Sequence, residues 1–195
     1  MEQLCLFPEA AAPRPPRRRP QDLVFFAVRA RALDRSPNRL IADLRQRFGL
    51  TGPDRPRETW HVSLLRVGLF ERLTPIDIDM LCAAAARVAP PTFDLLFDRV
   101  GSFGRSEQRG QRPLVLWGGP GAADIVGLAR DIEHALLGSG HVPDGEAIAV
   151  PHLTLLYDPV RVPLLPLVQP IRLRVTGFAL IHSLRGQSRY EQMWP

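Results

Sequence analysis

The chain has no lysine; all 25 of its basic residues are arginine. A net charge of +5 carried wholly by guanidinium forks suits a phosphate-bearing partner, because each fork can meet two phosphate oxygens at once. Coding composition can produce the same bias, so charge alone does not decide for nucleic acid. Cysteine is scarce. Cys5 and Cys82 are too few and too far apart for a disulfide framework or a thiolate zinc site, which predicts two free thiols in a reducing compartment. No apolar run approaches the ~18–20 residues that cross a bilayer, so no membrane partner is expected. The first residues, with Glu2, Pro8 and Pro13, lack the basic-then-apolar order of a secretory signal, and the expected location is cytoplasmic. Gly-x-Ser-x-Gly is also missing, which removes the nucleophile elbow of a serine hydrolase.

What is present suits one core. The chain has 195 residues, 45% hydrophobic and 23% charged, a soluble globular balance. Residues 1–20 include a Pro/Arg-rich run that cannot bury apolar surface, so they read as a disordered arm before a single domain at 21–195. Residues 23–28 (LVFFAV), 59–67, 92–98, 113–117, 147–156, 171–184 and 190–194 read as strands, the sixth bent at Gly177. Apolar residues at helical spacing predict helices from Ser36-Pro37 to Gly49, from Thr74-Pro75 to Val88, and over 122–137. Strands without strictly alternating helices predict an α+β fold with antiparallel sheets.

One internal repeat stands out: His61-Val62-Ser63-Leu64-Leu65 and His152-Leu153-Thr154-Leu155-Leu156. With 13 Ser or Thr and 28 Leu in the chain, chance would produce this pair about once in a thousand. On a strand, a histidine and the hydroxyl two residues later share a face, ~6–7 Å apart, while the residues between them point into the core. Each segment is therefore half of a site. Two such halves across a groove suit phosphoester cleavage. One neutral imidazole takes a proton from water, the opposite imidazolium gives one to the leaving oxygen, and Ser63 and Thr154 hold the non-bridging oxygens. Neither histidine has a nearby third ligand at metal spacing, so no metal and no cofactor are expected. A lone histidine with a hydroxyl neighbour would be ordinary strand packing, and His182 beside Ser183 is read that way.

The paired H-x-[S/T]-L motifs, with Pro151 before the second and Gly68 seven residues after the first, resemble the 2H phosphoesterase superfamily. Within it the resemblance is to the bacterial 2'-5' RNA ligase and RNA 2',3'-cyclic phosphodiesterase branch, and it runs from about Leu23 to the end, including Leu180–Leu184, Gly186 and Tyr190. It implies a bilobal, pseudo-two-fold fold, two antiparallel sheets lining a central cleft with helices outside. It implies His152 as the base that activates water, His61 as the acid, and an RNA or nucleotide 2',3'-cyclic phosphate as the substrate of a monomer. Ligation would be the reverse reaction. The chain departs from the family pattern at Tyr157, where many members carry arginine, and at Ser63, where threonine is common. Arg105, Arg109 and Arg112 in a Gly-rich loop are candidates for the missing cation, Arg66 is turned away by strand alternation, and Trp60 and Tyr157 are candidates to stack on a base, with core packing favoured for Trp60. The rival readings are a cyclic phosphodiesterase acting on free nucleotides or ADP-ribose cyclic phosphate, and a non-catalytic RNA-binding module.

Overall fold

A computed structural model describes residues 22–104, 110–184 and 189–195. The expected arm at 1–20, Arg105, Arg109 and Gly186 lie outside the described residues. In chain order the elements are β1 (Asp22–Arg29), α1 (Asn38–Phe48), β2 (His61–Phe70), α2 (Pro75–Ala85), β3 (Phe93–Ser102), β4 (Arg112–Gly118), α3 (Ala122–Leu137), β5 (His152–Asp158), β6 (Leu165–Val175), β7 (Ala179–Leu184) and β8 (Arg189–Trp194). All strand pairs are antiparallel, in the order β6-β3-β4-β5-β2-β1-β7-β8. The α+β class and the antiparallel pairing are as the sequence predicts.

The two expected sheets are two four-stranded halves of one continuous sheet. They meet where motif strand β2 touches motif strand β5, through the single pair Val62↔Leu153. Beyond that pair the strands diverge, and a segment from the opposite half fills each gap. Arg55 N–H donates to the Leu155 carbonyl and Ile148 N–H to the Leu64 carbonyl, both at 2.8 Å. Each approach segment thus crosses to the other motif's strand, which leaves few backbone groups at the seam without partners.

Both motif strands carry a bulge at the same motif position. The β1–β2 register passes from Phe26↔Leu65 to Ala27↔Ser63, skipping Leu64, and β4–β5 passes from Leu114↔Leu156 to Val115↔Thr154, skipping Leu155. A bulge resets side-chain alternation. Val62, Leu64, Leu153 and Leu155 are therefore buried toward the helices, as expected, and so are Leu65 and Leu156. The reset also overturns the alternation argument for Arg66, which pairs with Phe25 and so shares the open face with Ser63.

The stretch at 171–184 is not one bent strand. Pairing with β3 ends at Phe93↔Val175 and restarts on β1 at Ala27↔Ala179, so residues 176–178 carry the chain from one half to the other. A continuous apolar pattern cannot reveal a change of partner. The strand also begins earlier, at Leu165, as an edge strand that tolerates Pro166 and Pro170. The strand expected at 147–156 starts only at His152, with Ala147 in an isolated bridge to Leu65. Helix α2 starts as predicted, with a Thr74/Asp77 capping box and Pro75 at its first position, and ends three residues early. Helix α1 starts one residue late, with Pro37 at its N-cap position and no side-chain cap.

Helix α3 packs on α2, β2 and β3, closing the core side. The other face holds a smaller cluster of Phe25, Ala27, Ala179 and Ile181, which forms the floor of the open face.

Candidate active site

His61 and His152 are the first residues of β2 and β5, on either side of the one pair that joins the halves. Antiparallel register around Val62↔Leu153 sets His61 across from Thr154 and Ser63 across from His152. Among the described residues neither hydroxyl is committed to a hydrogen bond.

The two rings are held alike. His61 Nδ1 lies 2.7 Å from the Thr59 carbonyl, and His152 Nδ1 lies 2.9 Å from the Val150 carbonyl. A carbonyl only accepts, so Nδ1 of each ring carries its proton and Nε2 is left as the reactive nitrogen. The sequence predicts the pair but not this tautomer. It follows from the extended turn that brings residue i−2 under each ring.

Aromatic rings fix both imidazoles from the side. His61 sits between Phe25 and Tyr190, with ring centroids at 5.1 and 5.4 Å. His152 stacks on Phe103 at 4.5 Å and 19°, and Phe103 is backed by Trp117 at 4.9 Å. Burial pushes the His61 pKa down to about 4, against the Thr59 carbonyl, and the positive fields of Arg55, Arg29 and His152 add to the depression. At neutral pH His61 is a free base.

Arg55, which no sequence pattern singles out, brings a cation to this face beside His61. Its guanidinium lies over the rings of Tyr157 and Tyr190 at 5.7 and 5.8 Å and donates to the Tyr190 hydroxyl at 3.0 Å. Arg55 brings a guanidinium to Tyr157 from a loop about a hundred residues upstream. The loop reaches so close because of Gly52, where a Cβ would lie 1.9 Å from the Tyr157 carbonyl oxygen.

Arg112, Arg66, Trp60 and His182 have partners of their own. Arg112 pairs with Asp158, one position out of phase with Tyr157, and its guanidinium donates to the Gly104 carbonyl at 3.3 Å. Arg66 is on the open face but is tied to Asp144 at 2.7 Å. Trp60 is core, 4% exposed, with its indole N–H on the Arg55 carbonyl at 3.1 Å. His182 is a packed strand residue 3.2 Å from the Asp22 carboxylate. Among the described residues no three His, Cys, Asp or Glu side chains converge as metal ligands, and no helix is long and apolar enough to cross a membrane.

No protein-family model matches the chain, and no curated protein matches it by sequence. Its architecture does match solved structures. Escherichia coli LigT complexed with NADP+ superposes with a TM-score of 0.62 at 22% identity, covering 88% of this chain and 94% of LigT. A protein described as a phosphoesterase gives 0.59 at 21% identity, covering 89% and 94%. TT0787 of Thermus thermophilus gives 0.59 at 19%, covering 87% and 94%. Nearly the whole of each neighbour is spanned, and the chain therefore has the fold of LigT, of the protein described as a phosphoesterase and of TT0787.

Proposed function

We propose that the protein is a 2H phosphoesterase that hydrolyses a 2',3'-cyclic phosphate at an RNA end, without a metal ion, by a two-histidine acid-base mechanism. The observation that carries this reading is the matched pair of imidazoles. His61 and His152 meet at the seam of the sheet, each with Nδ1 tied to the carbonyl two residues back and Nε2 left free. A general acid-base pair needs two such nitrogens on either side of the reacting phosphorus, and a structural histidine does not.

In the proposed reaction the cyclic phosphate sits between the rings. One Nε2 accepts a proton from water as its oxygen attacks phosphorus, and the opposite Nε2–H donates to the ribose oxygen whose bond to phosphorus breaks. Ser63, Thr154 and Arg55 hold the non-bridging oxygens, where charge accumulates. The electrostatics favour His61 as the base, because burial and neighbouring cations keep it neutral in the free protein. This reverses the roles that the family resemblance implies. A bound phosphate anion would raise the His61 pKa toward the working pH, where proton transfer is most effective.

Nucleotides as ligands are supported by the neighbour LigT, which has been solved with 3'-AMP, with ATP and with NADP+. Those ligands also favour a second reading, a cyclic phosphodiesterase acting on free nucleotides. The deciding assay incubates the protein in excess chelator with a short RNA ending in a 2',3'-cyclic phosphate and, in parallel, with free cyclic nucleotides. Turnover of the RNA is expected. Loss of turnover in chelator with recovery on adding zinc or magnesium would overturn the mechanism, and turnover of the free nucleotides alone would establish the second reading.

A further inference from the structure

One strand over from His61, at the ends of β1 and β7, a pocket of about 220 Å³ is lined by Arg29, Arg31, Arg174, Thr176 and Gln192, among others, and among the described residues by no carboxylate. Arg174 shares its charge with Asp94 at 3.2 Å. Among the described residues Arg29 and Arg31 are in no ion pair. Arg29 gives one amino group to the Glu58 carbonyl, while its Nε is buried without a partner. Burial and the Arg31 charge both work against the protonated form of Arg29. Two like charges and an orphan donor held in one pocket are unfavourable until an anion fills it.

The position of the pocket identifies the anion. Arg29 is the ladder partner of His61, so both side chains leave the sheet on one face, a strand spacing of ~4.8 Å apart. A substrate with its cyclic phosphate at His61 would reach these arginines with the group on its 5' oxygen. We propose that this pocket is a subsite for a second phosphate, carried on the 5' oxygen of the nucleoside whose 2',3'-cyclic phosphate is hydrolysed. The inference rests on the proposed function and adds to it a preference for 5'-phosphorylated substrates, whether the phosphate is the internucleotide diester of RNA or the monoester of a free nucleotide.

Three substrates separate the cases: a nucleoside 2',3'-cyclic phosphate with a free 5'-hydroxyl, the same compound with a 5'-phosphate, and a dinucleotide ending in the same cyclic phosphate. Charge-assisted contacts predict kcat/KM higher by about tenfold to a hundredfold for a substrate carrying the second phosphate. Preference for the dinucleotide alone identifies the diester as the ligand, preference for the mononucleotide alone identifies the monoester, and either supports the subsite. Arg31 is exposed, so Arg31→Gln should fold, and the ratio between substrates with and without the second phosphate should fall about tenfold. A wild-type ratio near one, or a ratio unchanged in Arg31→Gln, overturns the subsite while leaving the hydrolase reading intact. Titration calorimetry with a nucleoside 2'-phosphate, with and without a 5'-phosphate, repeats the comparison without turnover. Absence of any hydrolysis would count against the function alone, and the calorimetric ratio would still decide the subsite.

Discussion

Acidification should destabilise this protein through His61 by an amount that the structure allows to be worked out. In the unfolded chain the ring titrates near the ordinary histidine value of ~6.5, and in the folded chain its pKa is about 4. The folded state binds the proton less well, so stability is lost as pH falls from the unfolded value toward the folded one. Between pH 7.5 and pH 4.5 the linkage relation gives a loss of about 2.5 kcal/mol at most, since the residue keeps some solvent contact. That is a large share of a typical domain's stability. The measurement is urea denaturation of the wild type and His61→Gln at both pH values. Other titrating groups cancel in the difference. Among them is Asp158, whose burial would raise its pKa but whose carboxylate is held low by the N–H groups of Gly52, Val160 and Thr51. The wild type should lose about 2.5 kcal/mol more than the variant on acidification. Equal losses would mean that His61 titrates normally, and the argument for its neutral state would fail.

Replacing His61 or His152 by Ala should each lower kcat by on the order of 10² to 10⁴, and the double variant should lose far less than the product, because the two act as one unit. A folded single variant with near wild-type turnover would refute the two-histidine mechanism. The kcat/KM profile should be bell-shaped with its acid limb near pH 4, because burial holds His61 neutral down to that pH in the free protein, and an acid limb near pH ~6.5 would refute the depressed His61 value. Arg55→Ala should raise KM about tenfold or more with little change in melting temperature, since the guanidinium rests on tyrosine rings and lies outside the core; an unchanged KM would remove Arg55 from the phosphate site. Gly52→Ala should destabilise the fold by about 1–3 kcal/mol, because the added methyl meets the Tyr157 carbonyl, and thermal melting at wild-type temperature would refute that packing.

The histidine pair and its hydroxyls were legible because they are written twice, and duplication is rare by chance in a chain of this length. Helix starts were legible where capping is local, as at Thr74 and Pro75. Errors came where a long-range partner decides. The change of partner at 176–178 and the edge strand at 165–170 depend on which strand lies alongside, and local pattern does not encode that. The alternation argument for Arg66 failed because a bulge is a property of two strands, visible only in their register.

The sequence by itself determined the α+β class, the antiparallel strands and the identity of the residues that face each other across the seam. These rest on side-chain periodicity and on a repeated motif, both of which are short-range. The tertiary structure alone decided that the two halves are one sheet joined at a single residue pair, that both imidazoles carry their proton on Nδ1, and that Arg55 occupies the space over Tyr157. Each of these is fixed by backbone carbonyls, rings or charges that meet only once loops from the two halves cross, so burial and electrostatics at the site are set by partners distant in the chain.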